Sequence, residues 1–164
     1  MGKLKGFIKE IIIGAVLIFI LSNIISYVRK PVLESNTLPT LNVTLIDGRV
    51  YTHKKAKPFV LHFWATWCPT CKLEAANIEH ISSKYEVLSI AVNSGTDAEL
   101  KQYMKENDLT FNVVNDAEGR WSKRFKVEAF PTTFIYDAKG VLLFTEVGYT
   151  TTAGLLARLK MIEL

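Results

Sequence analysis

Cysteine is scarce in this chain of 164 residues, and its scarcity narrows the possible chemistry. The two cysteines, Cys68 and Cys71, are three residues apart. A disulfide framework uses more cysteines at wider spacings, so a disulfide-stapled scaffold is excluded. A structural zinc site usually takes four ligands, and the three histidines, His53, His62 and His80, match no zinc spacing. Redox chemistry is therefore the leading use of the cysteine pair.

Beyond residue 30 the chain also lacks net charge. The sequence carries 20 basic and 16 acidic residues, a formal charge of +4, but residues 1–30 hold five basic residues and only Glu10 among the acidic ones. The remaining fifteen of each sign cancel. Because nucleic-acid-binding domains present a clustered basic surface, this composition argues against a nucleic-acid partner. The basic excess instead flanks an apolar segment.

An uncharged, almost continuously apolar run occupies residues 11–28. Eighteen helical residues rise about 27 Å, close to the thickness of the hydrocarbon core of a bilayer, so the run predicts one transmembrane helix. A cleaved signal peptide is the alternative, but its apolar region is shorter and ends in a small-residue cleavage site, which residues 23–27 do not resemble. Three lysines before the run outnumber Arg29 and Lys30 after it, which favours a cytoplasmic N-terminus.

These features predict three segments: a membrane anchor over residues 1–30, a linker over 31–40 and a folded domain over 41–164. With a cytoplasmic N-terminus, we expect a single-pass protein of the bacterial inner membrane whose domain faces the periplasm. The lipid bilayer is then one partner of the chain. The periplasm is oxidising, so a dithiol there needs a dedicated reductant.

The domain alternates short apolar runs with amphipathic segments. The patterns predict hairpin strands at 41–46 and 49–51 joined by an Asp-Gly turn, a buried strand at 59–64, a helix at 69–85, a strand at 87–92, a helix at 96–107, a strand at 111–114, a helix at 118–125, hairpin strands at 132–136 and 141–147, and a last helix at 152–162. Strand–helix–strand units followed by a hairpin and a closing helix indicate an α/β fold, a mixed sheet with helices on both faces.

The cysteine pair falls where the strand ending near Trp64 gives way to a helix. Free amides at a helix N-terminus favour an anion, and therefore the thiolate that attacks disulfides. Pro69 suits the first turn because it needs no amide donor, and Cys71 lies one turn along the same side of the helix. We expect Cys68 to be the exposed nucleophile and Cys71 the shielded thiol that resolves the mixed disulfide.

Residues 63–72 read Phe-Trp-Ala-Thr-Trp-Cys-Pro-Thr-Cys-Lys and resemble the active-site segment of the thioredoxin superfamily. With the hairpin before it and Glu74 after it, the resemblance covers residues 38–162 and points to the membrane-anchored TlpA/DsbE-like branch. It implies a thioredoxin-like fold, which is a central mixed sheet flanked by helices, here with an extra N-terminal hairpin. It also implies the activity of a protein-disulfide oxidoreductase.

Two relatives within that branch compete. The Cys-Pro-Thr-Cys motif is similar to that of the thioredoxins of cytochrome c maturation. A longer set of C-terminal residues is similar instead to the suppressor-of-copper-sensitivity D (ScsD-like) proteins: residues 147–151, Gly154, Leu155, Arg158 and Leu159. The longer match is harder to obtain by chance, so the ScsD-like interpretation is favoured.

The resemblance also assigns the loop before the strand at 132–136. Pro131 falls where the family has a cis-proline beside the cysteines, and a cis turn there exposes backbone groups that pair with a substrate strand. The alternative is an ordinary trans proline entering a strand. Phe130 stands where relatives usually carry Gly, Val, Thr or Ile. Together with Trp67, Pro69 and Thr70 it is expected to dock the substrate.

Two titratable residues near the cysteines are candidate proton carriers. His62, six residues before Cys68, stands where relatives carry a buried acid or an Asn. It either accepts a proton from Cys71 or is a core histidine bonded to a neighbour. Glu74, one turn after Cys71, is either the competing proton carrier or a solvated helix carboxylate.

The other expectations concern burial. The helix that begins at Pro69 is expected to bury four side chains: Leu73, Ile78, Ile81 and Tyr85. Trp64 is expected in the core, whereas His53 and His80 are expected at the surface.

Together, these features predict a membrane-tethered thiol:disulfide oxidoreductase that acts mainly as a reductase of extracytoplasmic protein disulfides. The redox-active Cys68–Cys71 disulfide takes the place of a cofactor, and no metal is expected. The resemblance implies a membrane electron donor of the DsbD/ScsB type. The alternatives are a copper-binding module that uses both thiolates as soft ligands, a peroxidase of related fold, and a purely structural disulfide. The last is disfavoured because so short a loop gives little entropic stabilisation.

Overall fold

The structure is a computed structural model that describes residues 2–53 and 57–163. Residues 1 and 164, the outer limits of the predicted anchor and domain, lie outside the described residues. The chain divides into two compact units, residues 1–30 and residues 31–164.

The first unit consists of one helix, α1 (Gly2–Val28), and the large apolar side chains that the structure describes between Phe7 and Val28 are exposed. The sequence predicts a transmembrane segment over residues 11–28. In the part of the chain that the structure describes, no helix is both long enough and apolar enough to cross a membrane. The predicted transmembrane segment is therefore not confirmed.

The second unit holds the remaining elements. Within residues 31–53 and 57–163 the order is β1 (Asn42–Thr44), β2 (Val50–Thr52), β3 (Phe59–Trp64), α2 (Pro69–Ser82), β4 (Glu86–Val92), α3 (Asp97–Glu106), β5 (Asn112–Asp116), α4 (Arg120–Arg124), β6 (Thr132–Tyr136), β7 (Leu142–Val147) and α5 (Thr152–Ile162). Strands β1 and β2 form an antiparallel hairpin. The main sheet has the order β5-β4-β3-β6-β7, in which β3, β4 and β5 run parallel and β6 runs antiparallel to both of its neighbours.

The central strand β3 is buried along its whole length because both faces of the sheet are covered. Val60 and Trp64 pack with residues from α2, α3 and α5 in one core cluster. Phe59 and Phe63 pack in a second cluster, with β1 and the segment that follows α4. Side chains alternate across a strand, so His62 lies on the same face as Val60 and Trp64, under α2. The predicted mixed sheet with helices on both faces, and the core position of Trp64, are confirmed.

Local sequence chemistry sets the start of α3. Thr96 is the N-cap, and its hydroxyl accepts a hydrogen bond from the Glu99 amide at 3.3 Å. The Glu99 carboxylate accepts from the Thr96 amide at 2.7 Å in return. This capping box satisfies two amides that a helix leaves free, as the Thr-x-x-Glu spacing predicts.

Two burial predictions are wrong, those for Leu73 and for His53. Leu73 is 73% exposed, because the buried side of α2 is formed by Cys71, Glu74, Ile78 and Ile81, which places position 73 on the opposite side. Tyr85 lies beyond the end of α2 and is half-buried.

The second wrong prediction is the surface position of His53. Its side chain is 3% exposed, and its ring centroid lies 4.3 Å from that of Phe59. Its Nδ1 is 3.2 Å from the Glu86 carboxylate at the start of β4. His80, by contrast, is exposed on α2 as predicted.

The segment before β1 packs against the main sheet. Thr37 forms an isolated bridge with Val141, and the Leu38 amide donates to the Gly140 carbonyl at 2.7 Å. Leu38 itself is 2% exposed. Part of the stretch 31–40 is therefore structured, and it covers the beginning of edge strand β7.

Candidate active site

The two cysteines occupy the junction between β3 and α2. The Cys68 amide donates to the Ala65 carbonyl at 3.2 Å, which closes the turn after the strand. Cys68 is the N-cap of α2, Pro69 is the first helical residue, and the Cys71 amide donates to Sγ of Cys68 at 3.2 Å. The cysteines are joined in a disulfide, with their Cα atoms 5.3 Å apart. The predicted strand-to-helix position of the motif is confirmed.

Both sulfur-bearing residues are buried, which corrects the expected contrast between an exposed and a shielded cysteine. Cys68 is 5% exposed and Cys71 is 2% exposed. Both belong to the core cluster under α2, and partly buried Phe130 packs against that cluster. The asymmetry between the two cysteines therefore lies in their neighbours rather than in their exposure.

The loop before β6 lies against Cys68. The Phe130–Pro131 peptide bond is cis, as the family resemblance implies, and the trans alternative is wrong. The carbonyl oxygen of Phe130 is 3.7 Å from Sγ of Cys68. The carbonyl oxygen of Pro131 accepts from the Gly148 amide at 2.8 Å, which ties this loop to the end of β7.

An aromatic pair stands beside the disulfide. The rings of Trp67 and Phe130 meet edge to face, with centroids 5.7 Å apart. Trp67 is 57% exposed, and its Nε1 donates to the Asn93 carbonyl at 3.1 Å. Pro69 is exposed and Thr70 is half-buried. The four residues predicted to dock substrate are thus exposed or half-buried. Three of them adjoin Cys68 closely in sequence, and the fourth, Phe130, lies beside it in space.

Glu74 is fully buried on the inner side of α2, so its alternative as a solvated carboxylate is wrong. Its Oε1 accepts from the Thr150 amide at 2.6 Å, whereas its Oε2 has no hydrogen-bond partner. Burial is the main cause that raises the pKa of Glu74 to about 8; the hydrogen bond from the Thr150 amide opposes the rise, and the charge of Glu146 adds to it. Glu74 is therefore a largely protonated acid at neutral pH.

His62 is buried beneath Glu74 on β3. Its Nδ1 is 2.9 Å from Oγ1 of Thr133, and its Nε2 is 4.0 Å from Oε2 of Glu74. Burial lowers the pKa of His62 to about 3. Since His62 is neutral and Glu74 mainly protonated at pH 7, their approach is a contact between uncharged groups and not a salt bridge. His62 is bonded to a neighbour, as the core-histidine alternative expects.

The loop at residues 148–151 contacts Glu74, which the sequence did not predict. Asn77, one turn after Glu74 on α2, donates to the Thr150 carbonyl at 3.0 Å and to the Tyr149 hydroxyl at 3.2 Å. Residues 148–151 are therefore fastened to α2 at two successive turns. The i, i+3 spacing of Glu74 and Asn77 places both on one side of the helix, which is the signal that was available. Nothing in the sequence indicates that Glu74 contacts Thr150, which is 76 positions away.

The comparisons with known proteins agree with this geometry. Residues 33–159 match the redoxin family. The chain belongs to the redoxin family. A thioredoxin-like protein of Haemophilus influenzae is 28% identical over 165 residues, covering 98% of each chain. The thiol-disulfide oxidoreductase ResA of Bacillus thuringiensis is 31% identical over 131 residues, covering 76% of this chain and 75% of that protein.

A solved structure is similar to this redoxin in the same region. The thiol:disulfide interchange protein of the thioredoxin family from Chlorobium tepidum superposes with a TM-score of 0.67 at 25% identity, covering 80% of this chain and 98% of that one. The fold is therefore thioredoxin-like, and this redoxin is a TlpA/DsbE-like protein-disulfide oxidoreductase. The finer choice of ScsD-like proteins over cytochrome c maturation thioredoxins stays a prediction.

Metal ligation is the rival use of the cysteine pair. Within residues 2–53 and 57–163, no group of three or more His, Cys, Asp or Glu side chains is arranged to hold a metal ion. The donor set at the motif consists of the two sulfurs, which are joined to each other in this redoxin. The roles of the individual site residues stay predictions.

Proposed function

We propose that this redoxin is a reductase of protein disulfides, tethered to a membrane and working on the extracytoplasmic side. The observation that carries the proposal is a buried, largely protonated Glu74 one helical turn from Cys71, behind a disulfide that a substrate meets at Cys68. The proposal concerns the direction of electron flow, the location and the roles of the residues.

The reaction begins with the reduced pair. The Cys68 thiolate attacks one sulfur of a substrate disulfide, forms a mixed disulfide and releases the first substrate thiolate, which takes a proton from solvent. Cys71 then loses its proton, attacks Sγ of Cys68 and expels the second substrate thiolate. Two electrons pass from the dithiol to the substrate, and the protein ends with the Cys68–Cys71 disulfide.

Glu74 is the better acceptor for the Cys71 proton. A general base works best when its pKa lies near the operating pH, and the pKa of Glu74 is raised to about 8. The pKa of His62 is lowered to about 3, so its imidazole holds an added proton only weakly. His62 instead links Thr133 on β6, which it contacts through Nδ1, to the buried side of Glu74. The ionised form of Glu74, which is the minor form at neutral pH and becomes more abundant as pH rises toward 8, therefore takes the Cys71 proton, and His62 supports it.

The surroundings of the sulfurs favour a reductant. A dedicated oxidant is strongly oxidising because its reduced form is stabilised, largely as a thiolate. Here both cysteines are buried, and burial among apolar groups disfavours a thiolate. The buried Glu74 adds a further penalty whenever it ionises. Burial therefore offsets part of the stabilisation that the helix N-terminus and the Cys71 amide give to a Cys68 thiolate, and a reduced form that is stabilised less gives up its electrons more readily.

Tethering rests on the first unit and on the sequence before the domain. Residues 11–28 carry no charge, and the apolar side chains along α1 are exposed. Exposed apolar area of this extent is unfavourable in water and is stabilised in a bilayer or at its surface. A domain beyond the membrane has no access to cytosolic reductants, so its electrons come from a membrane carrier of the DsbD/ScsB type.

A trapping experiment tests the reaction. The full-length Cys71→Ser variant, expressed in a bacterial host, is expected to accumulate mixed disulfides with extracytoplasmic proteins through Cys68. The matched Cys68→Ser variant is expected to trap none, because Cys71 lies on the inner side of the motif. Equal trapping by both variants would contradict the assigned roles. Release of the full-length chain from membranes by salt alone would contradict the tether.

A further inference from the structure

A row of polar side chains crosses the sheet beneath the active-site helix. Ser89 on β4 is paired with His62 on β3, His62 with Thr133 on β6, and Thr133 with Glu146 on β7. Directly opposed residues on neighbouring strands point to the same face. The four side chains therefore lie on the face that α2 covers, which is the face occupied by Glu74.

The outer end of this row is an ion pair. Glu146 Oε1 accepts from Nε of Arg158 on α5 at 2.8 Å, and the side chain of Glu146 is 18% exposed. Arg158 also donates through Nη1 to the Gly154 carbonyl at 2.9 Å, and its guanidinium lies 6.0 Å above the ring centroid of Phe144. These contacts hold the arginine in one place. Glu146 is thus a fixed, partly buried carboxylate next to the site.

We propose that Glu146 and Arg158 are positioning residues that set the protonation state of Glu74: the Glu146 carboxylate favours the neutral acid, and Arg158 limits that effect. The inference rests on the proposed function in taking Glu74 as the carrier of the Cys71 proton. Neither residue touches the reacting sulfurs. Their effect reaches the reaction through Glu74.

The physical argument is the interaction of like charges in a medium of low polarity. The titratable groups near Glu74 are Cys71 on α2, His62 on β3 and Glu146 on β7, and Arg158 of α5 is bound to Glu146. His62 is neutral and the cysteine is bonded in the oxidised state, so the charges that act on Glu74 are those of Glu146 and Arg158. A like charge nearby disfavours ionisation of a carboxyl, and the raised pKa of Glu74 includes this contribution from Glu146.

The ion pair also explains why the effect is moderate. Arg158 is one-third exposed at its side chain and binds Glu146 directly, so the two charges partly cancel at Glu74. Without Glu146, Glu74 would face an uncompensated cation and would ionise at lower pH. Without Arg158, it would face an uncompensated anion and would stay protonated to higher pH. The two single substitutions therefore have opposite effects.

The test follows the titration of Glu74 in the oxidised full-length protein, by the NMR shift of its isotope-labelled carboxyl carbon, assigned with Glu74→Gln. Glu146→Gln is expected to lower the midpoint by on the order of one pH unit, and Arg158→Gln to raise it by a similar amount. The double variant is expected to return near the wild-type midpoint. Glu146→Asp and Arg158→Lys, which keep the charges, are expected to stay within a fraction of a unit of wild type.

The exposed ion pair between Glu118 and Arg120 provides the matched control. Glu118→Gln is expected to leave the Glu74 midpoint unchanged. Shifts of the same sign in Glu146→Gln and Arg158→Gln, or no shift in either, would overturn the inference. Should one variant fold poorly, the sign found in the other decides. The oxidised protein undergoes no turnover in this experiment, so its outcome is independent of whether Glu74 accepts the Cys71 proton.

Discussion

Nε2 of His62 and Oε2 of Glu74 lie 4.0 Å apart, with both side chains buried behind the disulfide. Burial moves their pKa values in opposite directions, to about 3 for His62 and about 8 for Glu74. Both groups are therefore mainly uncharged between these values, whereas a histidine and a glutamate with the ordinary pKa values of 6.5 and 4.5 would both be charged between pH 4.5 and 6.5. A neutral pair next to Cys71 leaves one acid free to exchange a proton near physiological pH.

The first prediction concerns Glu74 and the pH dependence of stability. Its folded pKa is raised above the ordinary 4.5, so between pH 4.5 and about 8 the folded protein binds a proton that the unfolded chain has released. The free energy of unfolding of the wild type, minus that of Glu74→Gln, is expected to fall as pH rises through this window. The slope is about 1.4 kcal/mol per pH unit at most. Urea titrations of the oxidised proteins measure it, and a difference that rises with pH would contradict the buried neutral acid.

The second prediction concerns His62 in the acid range. Its folded pKa is lowered from 6.5 to about 3, so between these values the unfolded chain binds a proton that the folded protein does not. The free energy of unfolding of the wild type, minus that of His62→Asn, is expected to fall as pH is lowered from 6.5 toward 3. The same urea titrations check this. His80→Asn, on the exposed side of α2, is the matched control.

The third prediction separates the two candidate proton carriers. Glu74→Gln is expected to slow the oxidation of the reduced protein by a model protein disulfide by on the order of a hundredfold, because Cys71 loses its proton acceptor. His62→Asn is expected to slow it only a few-fold. Rapid-mixing kinetics with tryptophan fluorescence, recorded from pH 5 to 9 (roughly the range in which both thiols and acid titrate), provide the measurement. A larger loss in His62→Asn would reverse the assignment.

The fourth prediction concerns the buried contact between Thr133 and His62. Thr133→Val keeps the shape of the side chain but removes the hydroxyl at 2.9 Å from His62 Nδ1, leaving a buried ring nitrogen without a partner. The expected cost is about 1–3 kcal/mol in the free energy of unfolding. In a double-mutant cycle with His62→Leu, the second substitution removes the unpaired nitrogen and the two losses are not additive. Strict additivity would show that the contact contributes nothing.

The fifth prediction concerns Phe130, whose ring meets Trp67 beside Cys68. Phe130→Val removes one of the two aromatic rings and is expected to increase access to Cys68, which is only 5% exposed. Reaction with bulky protein disulfides is expected to accelerate several-fold, whereas reaction with a small disulfide such as oxidised glutathione changes less. The ratio of the two rates is the measured quantity. Equal acceleration for both substrates would contradict a role in substrate selection.

The site motif and the order of elements could be predicted from sequence because they depend on local chemistry. Cys68 and Pro69 at a helix start, the Thr96–Glu99 capping box and the proline at 131 each act within a few residues. Resemblance to a known family added the cis bond at Pro131. These features required no knowledge of which segments meet in space.

The facing of buried groups could not be predicted, because β3 is covered on both sides and lacks an alternating pattern. The sequence therefore does not show which face of the sheet carries the His62 side chain. The sequence left Glu74 open between a proton carrier and a solvated helix carboxylate, because no local pattern shows that the loop at 148–151 contacts this side chain. The prediction for Leu73 is wrong for a related reason: α2 buries the side that carries Glu74, and Leu73 lies on the other side.

The partners of Glu74 lie furthest from sequence reasoning. Thr150 is 76 residues away in the chain, and Glu146 reaches the site only through the register of β6 with β7. Long-range pairing of this kind depends on sheet topology and not on local propensity. The acid that the account places at the centre of proton transfer is thus set by contacts that a sequence pattern does not record.

The central claim is that this redoxin donates electrons, and its reduction potential tests that claim most directly. The full-length protein is equilibrated in defined ratios of reduced to oxidised glutathione or dithiothreitol, and the fraction of the Cys68–Cys71 disulfide is measured by thiol alkylation. For a reductase, we expect a potential near that of thioredoxin, about −270 mV. A value near that of a dedicated oxidant, about −120 mV, would contradict it.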